Sequence, residues 1–94
     1  MVLALALVHH MAIANNVPLG RVARFLHSVG KRLIVEFVPK SDSQVRLLLA
    51  GRQDVFPDYT RAVFETEFRR FFEFAQVSSV PDSERTLYLM RPDN

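Results

Sequence analysis

LIVEFVPKSDSQ, residues 33–44, sets the reading of the whole chain. Leu33 to Val38 is rich in branched and aromatic residues, which pack well on a pleated surface, and Pro39 ends the run. A strand is predicted there. Ser41-Asp42-Ser43-Gln44 then has the form of a capping box, Ser followed three places later by Gln. A short helix should follow to about Ala50, with Gly51 as its C-cap. A strand followed directly by a capped helix is one unit of an alternating α/β chain.

Upstream, Val2 to Val8 is a continuous apolar run of strand length. Strands covered by helices on both faces read this way. His9 to Asn16 forms a connection with room for one helical turn. Pro18 suits the first turn of a helix, where its missing N–H costs nothing. Val22, Phe25, Leu26 and Val29 then recur at helical spacing, with Arg21, Arg24 and His27 on the other side and Gly30 as a stop.

Downstream, Gln53 to Pro57 reads as loop and Asp58 to Phe72 as a helix. Phe64, Phe68, Phe71 and Phe72 fall on one face of that helix, as a stripe that packs against a sheet. Glu65 and Arg69 are spaced for an ion pair on its solvent side. Phe74 to Val80 and Thr86 to Met90 are two further strands. Pro81 to Glu84 forms a turn that lets them pair as an antiparallel hairpin. Arg91 to Asn94 is a polar tail. The order is strand, helix, strand, broken helix, strand, strand, with the first crossover parallel and right-handed.

Ninety-four residues hold one domain, residues 1–94. Hydrophobic residues make up 49% of them, eight being Phe, so the chain buries a core rather than remaining disordered. Twelve basic residues against ten acidic ones are dispersed along the sequence, which argues against nucleic acid as a partner. There is no cysteine, which removes disulfides, thiolate metal sites and a Cys nucleophile, and fits a cytoplasmic protein. The N-terminal run lacks a basic flank and is broken by two histidines, unlike a signal peptide. It is also too short to span a bilayer. A domain that opens directly on a buried strand looks cut.

The stretches LALALVHHMAI (3–13), RLIVEFVPKSDSQV (32–45), FPDYTRAVFETEFRRFFEF (56–74) and RTLYLMRP (85–92), in this order, resemble the second half of class I methyltransferases. Those enzymes use S-adenosylmethionine. A narrower resemblance is to the methyltransferase-like proteins linked to rhizobial nodulation. The resemblance implies part of a Rossmann-like sheet: two parallel strands plus a C-terminal β-hairpin, with covering helices. The last strand should insert antiparallel between the fifth and sixth of the family's order. It also implies that S-adenosylmethionine is the cofactor of the parent enzyme. In that family the first half grips the cofactor, through a Gly-rich turn and an acid for the ribose. This sequence has three glycines, Gly20, Gly30 and Gly51, and no such turn. The chain alone is therefore expected to bind no cofactor and to transfer no methyl group, because positioning the donor dominates the rate.

Candidate site residues follow from position. Ligands of open α/β sheets bind beyond the carboxyl ends of the strands. His9 and His10 follow the first strand, as a catalytic base or as groups that orient a substrate. The bland alternative is a histidine that caps the strand on a backbone carbonyl. Adjacent residues of a strand point to opposite faces, so the pair chelates a metal poorly and none is expected. Asn15 and Asn16 are candidate substrate contacts, or turn and capping residues. Glu36 sits inside an apolar strand, where it lies near the functional end or pairs with a basic residue. Asp42 and Ser41 read as helix-capping. There is no G-x-S-x-G elbow, Walker loop or HExxH motif. Three readings stay open: a fragment of a small-molecule methyltransferase, a binding module acting through an exposed sheet edge, or a small enzyme built on His9 or His10. Losing a neighbouring strand would expose the edge of the first strand, so a homodimer through that edge is expected.

Overall fold

The computed structural model describes residues 2–4, 7–29, 32–50 and 56–92. Its elements are β1 (Val2–Ala4), α1 (Leu7–His9) running into a π-helical turn (His10–Ala14), α2 (Leu19–Val29), β2 (Leu33–Phe37), α3 (Ser43–Leu49), α4 (Arg61–Arg69), β3 (Phe72–Ser79) and β4 (Thr86–Pro92). The fold is mixed α/β. The strands form one four-stranded sheet in the order β1-β2-β4-β3. β1 and β2 are parallel, and β4 runs antiparallel to both of its neighbours. The last strand in sequence thus lies between β2 and β3.

Alternation sorts the side chains. Leu33, Val35 and Phe37 are buried while Ile34 and Glu36 are only partly so. The buried row meets α4: the Phe37 ring lies 4.9 Å from Phe64 and 5.3 Å from Tyr59. Tyr88 of β4 joins it, 5.0 Å from Phe64. α2 packs beside α4 through Leu19, Val22, Ala23 and Leu26, all buried. The opposite face is different. Leu3, Ile34 and Leu89 are cross-strand partners in one row, and Leu87 pairs with Glu36 in the next. None of these four leucine and isoleucine side chains belongs to the buried core, and Leu3 is 65% exposed. α2 and α4 lie on the other side of the sheet from them.

Several expectations are corrected. The first strand does not reach Val8: Val2–Ala4 is strand, Leu7 and Val8 are helical, and residues 5 and 6 lie outside the described residues. An alanine- and leucine-rich run satisfies either conformation, and tertiary contacts with β2 settle it. His9 and His10 are helical too, so the argument from a strand's alternating faces does not apply to them. The N-cap of α3 is Asp42, whose carboxylate accepts from the Gln44 N–H at 2.9 Å; Ser41 instead bonds Glu84. The main helix runs from Arg61 to Arg69, capped by Thr60, and Phe72 belongs to β3. Its ring still stacks on Phe68, which is why the spacing resembled a longer helix. Phe25 and Val29 are about half exposed, since the buried stripe of α2 is centred on Val22 and Ala23. Glu65 pairs with Arg61 rather than Arg69, whose guanidinium lies over the Phe74 ring at 4.7 Å. Arg91 and Pro92 extend β4 instead of forming a tail. The proposed caps Gly30 and Gly51 lie outside the described residues.

Candidate functional site

The carboxyl ends of β1 and β2 gather a polar cluster. Asp42 caps α3 at the point where the chain leaves β2, so its carboxylate is held in place by the Gln44 N–H. Arg85, which closes the hairpin turn just before β4, reaches that carboxylate with two donors: Nε at 2.8 Å and Nη2 at 3.0 Å. Its third nitrogen donates to Glu36 at 3.3 Å. All three side chains are largely shielded, which strengthens charge-assisted hydrogen bonds. Arg85 holds the Asp42 carboxyl below its usual range, and Asp42 in turn raises Arg85.

His9 lies beside this cluster, 2% exposed, and its Nδ1 has no hydrogen-bond partner among the described residues. Burial lowers its basicity most; the neighbouring His10 and Arg85 lower it further, against Asp42. His9 is therefore a neutral imidazole near pH 7. His10 is exposed, its ring 4.9 Å from that of His9. His27 is exposed on α2, as its helix position indicates, beside the Phe71 and Phe72 rings.

The asparagines lie elsewhere. Asn15 ends the π-helical turn, its N–H bonded to the His10 carbonyl at 3.1 Å. Asn16 takes the left-handed backbone (φ 55°), which asparagine tolerates better than most residues. Its side of the turn opens on a cavity of about 440 Å³ between the start of α2 and the Phe56–Tyr59 segment, walled by Val17, Leu19, Phe56, Tyr59 and Val63. A cavity of this size and apolar lining suits a small organic molecule. Tyr59 joins the two regions. Its hydroxyl donates to the Val38 carbonyl at the end of β2, and burial pushes its ionisation well above the usual phenol range. So the structure brings His9 and Glu36 to one end of the sheet and sets Asn16 in a separate cavity wall. Asn15 and His10 stay on the surface.

Sequence reasoning missed Arg85 and the role of Asp42 as its partner. The signal was present in part: a glutamate in an apolar strand needs a cation. Nothing local picks Arg85, which is 49 residues from Glu36. A second missed network is Arg61, Tyr88 and Glu65. Tyr88 donates to Glu65 at 2.7 Å and accepts from Arg61 at 3.0 Å. Burial and the Glu65 carboxylate push Tyr88 up to about 12. Among the described residues no group of three or more His, Asp or Glu side chains is placed to hold a metal ion. No helix among them is long and apolar enough to cross a membrane.

The class defined by this geometry is a mixed α/β domain with its polar cluster at the carboxyl ends of two parallel strands. The chain is similar to nodulation protein NoeA of Rhizobium meliloti (strain 1021), at 46% identity over 87 residues, or 93% of the chain. That match covers 18% of NoeA, so the chain spans less than a fifth of its relative's length. No protein-family profile matches the chain. No solved structure matches it either.

Proposed function

We propose that this chain is the C-terminal portion of a Rossmann-like, S-adenosylmethionine-dependent methyltransferase domain acting on a small molecule, and that alone it transfers no methyl group. The observation that carries the reading is the strand order, β1-β2-β4-β3 with β4 antiparallel between β2 and β3. It is the order that the resemblance of the quoted stretches to class I methyltransferases implies. The face that carries exposed Leu3 and the partly buried Ile34, Leu87 and Leu89 supports it, because a two-sided α/β sheet is covered on that face as well.

The sequence carries no Gly-rich turn of the kind that the resemblance assigns to the cofactor. The turn after β1 carries no glycine through Ala14, and Val8, His9, Ala12 and Ile13 fill it. In this reading the donor's grip comes from the preceding part of the longer protein. What these residues supply is the acceptor side. His10, being exposed, is the member of the pair that can take a proton from an acceptor, and His9 buttresses it. Asn16 offers a polar contact in the cavity wall. Asn15 and Glu36 orient neighbouring backbone and charge. The whole protein is cytoplasmic in this reading.

Isothermal titration with S-adenosylmethionine tests it. The isolated chain is expected to show no saturable binding, and the chain joined to the longer protein's preceding segment to bind. Saturable binding by the isolated chain overturns the fragment reading. So does the absence of a Gly-rich turn within about forty to ninety residues upstream in the same frame.

A second reading, a non-enzymatic interaction module, is favoured by one feature. β1 is an edge strand of three residues whose Leu3 stands exposed. Through that edge the chain would pair with another copy or another protein.

A further inference from the structure

Arginines that are scattered in the sequence meet at one place on the surface. Arg21 and Arg24 are one turn apart on the exposed side of α2, and Arg70 follows the end of α4. All three line a hollow of about 550 Å³, with Glu67 and Phe71. Neither Arg21 nor Arg24 has an ion-pair partner among the described residues. Arg70 bonds Glu67 at 3.0 Å, so Glu67 offsets one charge. Three guanidiniums against one carboxylate leave two positive charges around the hollow.

The chemistry selects a ligand class. Guanidinium groups present planar forks of N–H donors that match phosphate oxygens in pairs. A phosphate monoester carries about −1.5 to −2 charges at pH 7, which balances the hollow. Phe71 is partly buried and held by its neighbours: the Arg70 guanidinium lies 5.8 Å from its centroid and the His27 ring 5.5 Å. A fixed ring beside guanidiniums gives the organic part of such a ligand a surface to rest on.

We propose that this hollow binds a phosphate-bearing ligand, held by Arg21, Arg24 and Arg70 and resting on Phe71. The site lies on the α2–α4 surface, apart from the cluster around His9, and does not depend on the methyltransferase reading.

The test titrates the full chain at low ionic strength with inorganic phosphate, phenyl phosphate and benzyl alcohol, following amide NMR shifts. Both phosphates should saturate with shifts centred on α2 and Phe71, and benzyl alcohol should not. Arg21→Gln and Arg24→Gln should each weaken binding by about tenfold, the loss of one charge-assisted contact. Arg46→Gln, which removes an exposed arginine of α3, should leave it unchanged. Tighter binding of phenyl phosphate assigns the site to an organic phosphate, and equal binding assigns it to the free anion. Circular dichroism melts of each variant show that the fold persists. Absence of saturable phosphate binding overturns the proposal, as does an Arg46→Gln loss equal to that of Arg21→Gln, which would mark a net-charge effect.

Discussion

His9 and Asp42 carry opposite charges in their ionised forms, yet both should make the protein less stable in acid. The His9 imidazole is buried neutral with an unpartnered Nδ1, and its basicity lies below the ordinary 6.5. The folded chain therefore binds fewer protons at this position than the unfolded chain. Its contribution is complete above about pH 6.5 and is lost as pH falls through the depressed folded value. Asp42 is also depressed, from 3.8, mainly by the Arg85 hydrogen bond, so its contribution is lost at still lower pH. Urea midpoints should thus decline in two steps, the upper one absent in His9→Phe; an unchanged upper step in that variant removes the assignment. Asp42→Ala deletes a helix cap and leaves Arg85 with Glu36 alone, a loss of about 2 kcal/mol by denaturant unfolding. Tyr88→Phe removes a hydroxyl that links Glu65 and Arg61, for about 1 kcal/mol. Residues of this kind are hard to read from sequence. Glu36 announces that it needs a cation, but Arg85 becomes its partner only through the β2–β4 pairing.

At the level of elements, α2 meets α4 where Gly20 faces Glu67. A Cβ on Gly20 would stand 2.8 Å from the Glu67 carboxylate oxygen, the mobile end of a side chain. Gly20 has helical backbone, so alanine gains about 1 kcal/mol of helix propensity there while displacing Glu67 from Arg70. Gly20→Ala should consequently stabilise the protein more in a Glu67→Ala background than in the native one, as a double-mutant cycle measures. The sheet's elements were legible where pattern and punctuation agreed. Leu33–Phe37 before Pro39, and the two strands flanking Pro81–Glu84, carry both signals. The first segment was not legible beyond its start, because alanine and leucine mark neither period. The helix preceding β3 read three residues too long at its C-terminal end because Phe68 and Phe72 stack across a turn, which mimics helical spacing. The candidate site was legible by position alone, as the carboxyl ends of the strands. Burial of His9 and exposure of His10 follow from a π-helical turn that no residue type announces.

Among the described residues, α2 and α4 cover one face of the sheet. Phe64, Phe68 and Tyr88 fill the space between sheet and helices with no exposure, and Phe64→Ala should cost about 3–5 kcal/mol. On the far face Leu3 is exposed, and Ile34, Leu87 and Leu89 are only partly buried. Concentration-dependent self-association is expected by sedimentation, relieved by Leu3→Lys or Leu89→Lys; a chain that stays monomeric at high concentration counts against both the exposed-edge and the far-face readings.

The interior placement of β4 also governs when the sheet can exist during synthesis. β2 and β3 are not neighbours in the sheet, so residues 72–79 have no strand to pair with until residues 86–92 have left the ribosome. A released chain truncated after Arg85 should be cut readily by protease within residues 72–79, and the chain carrying the final strand should resist cleavage there.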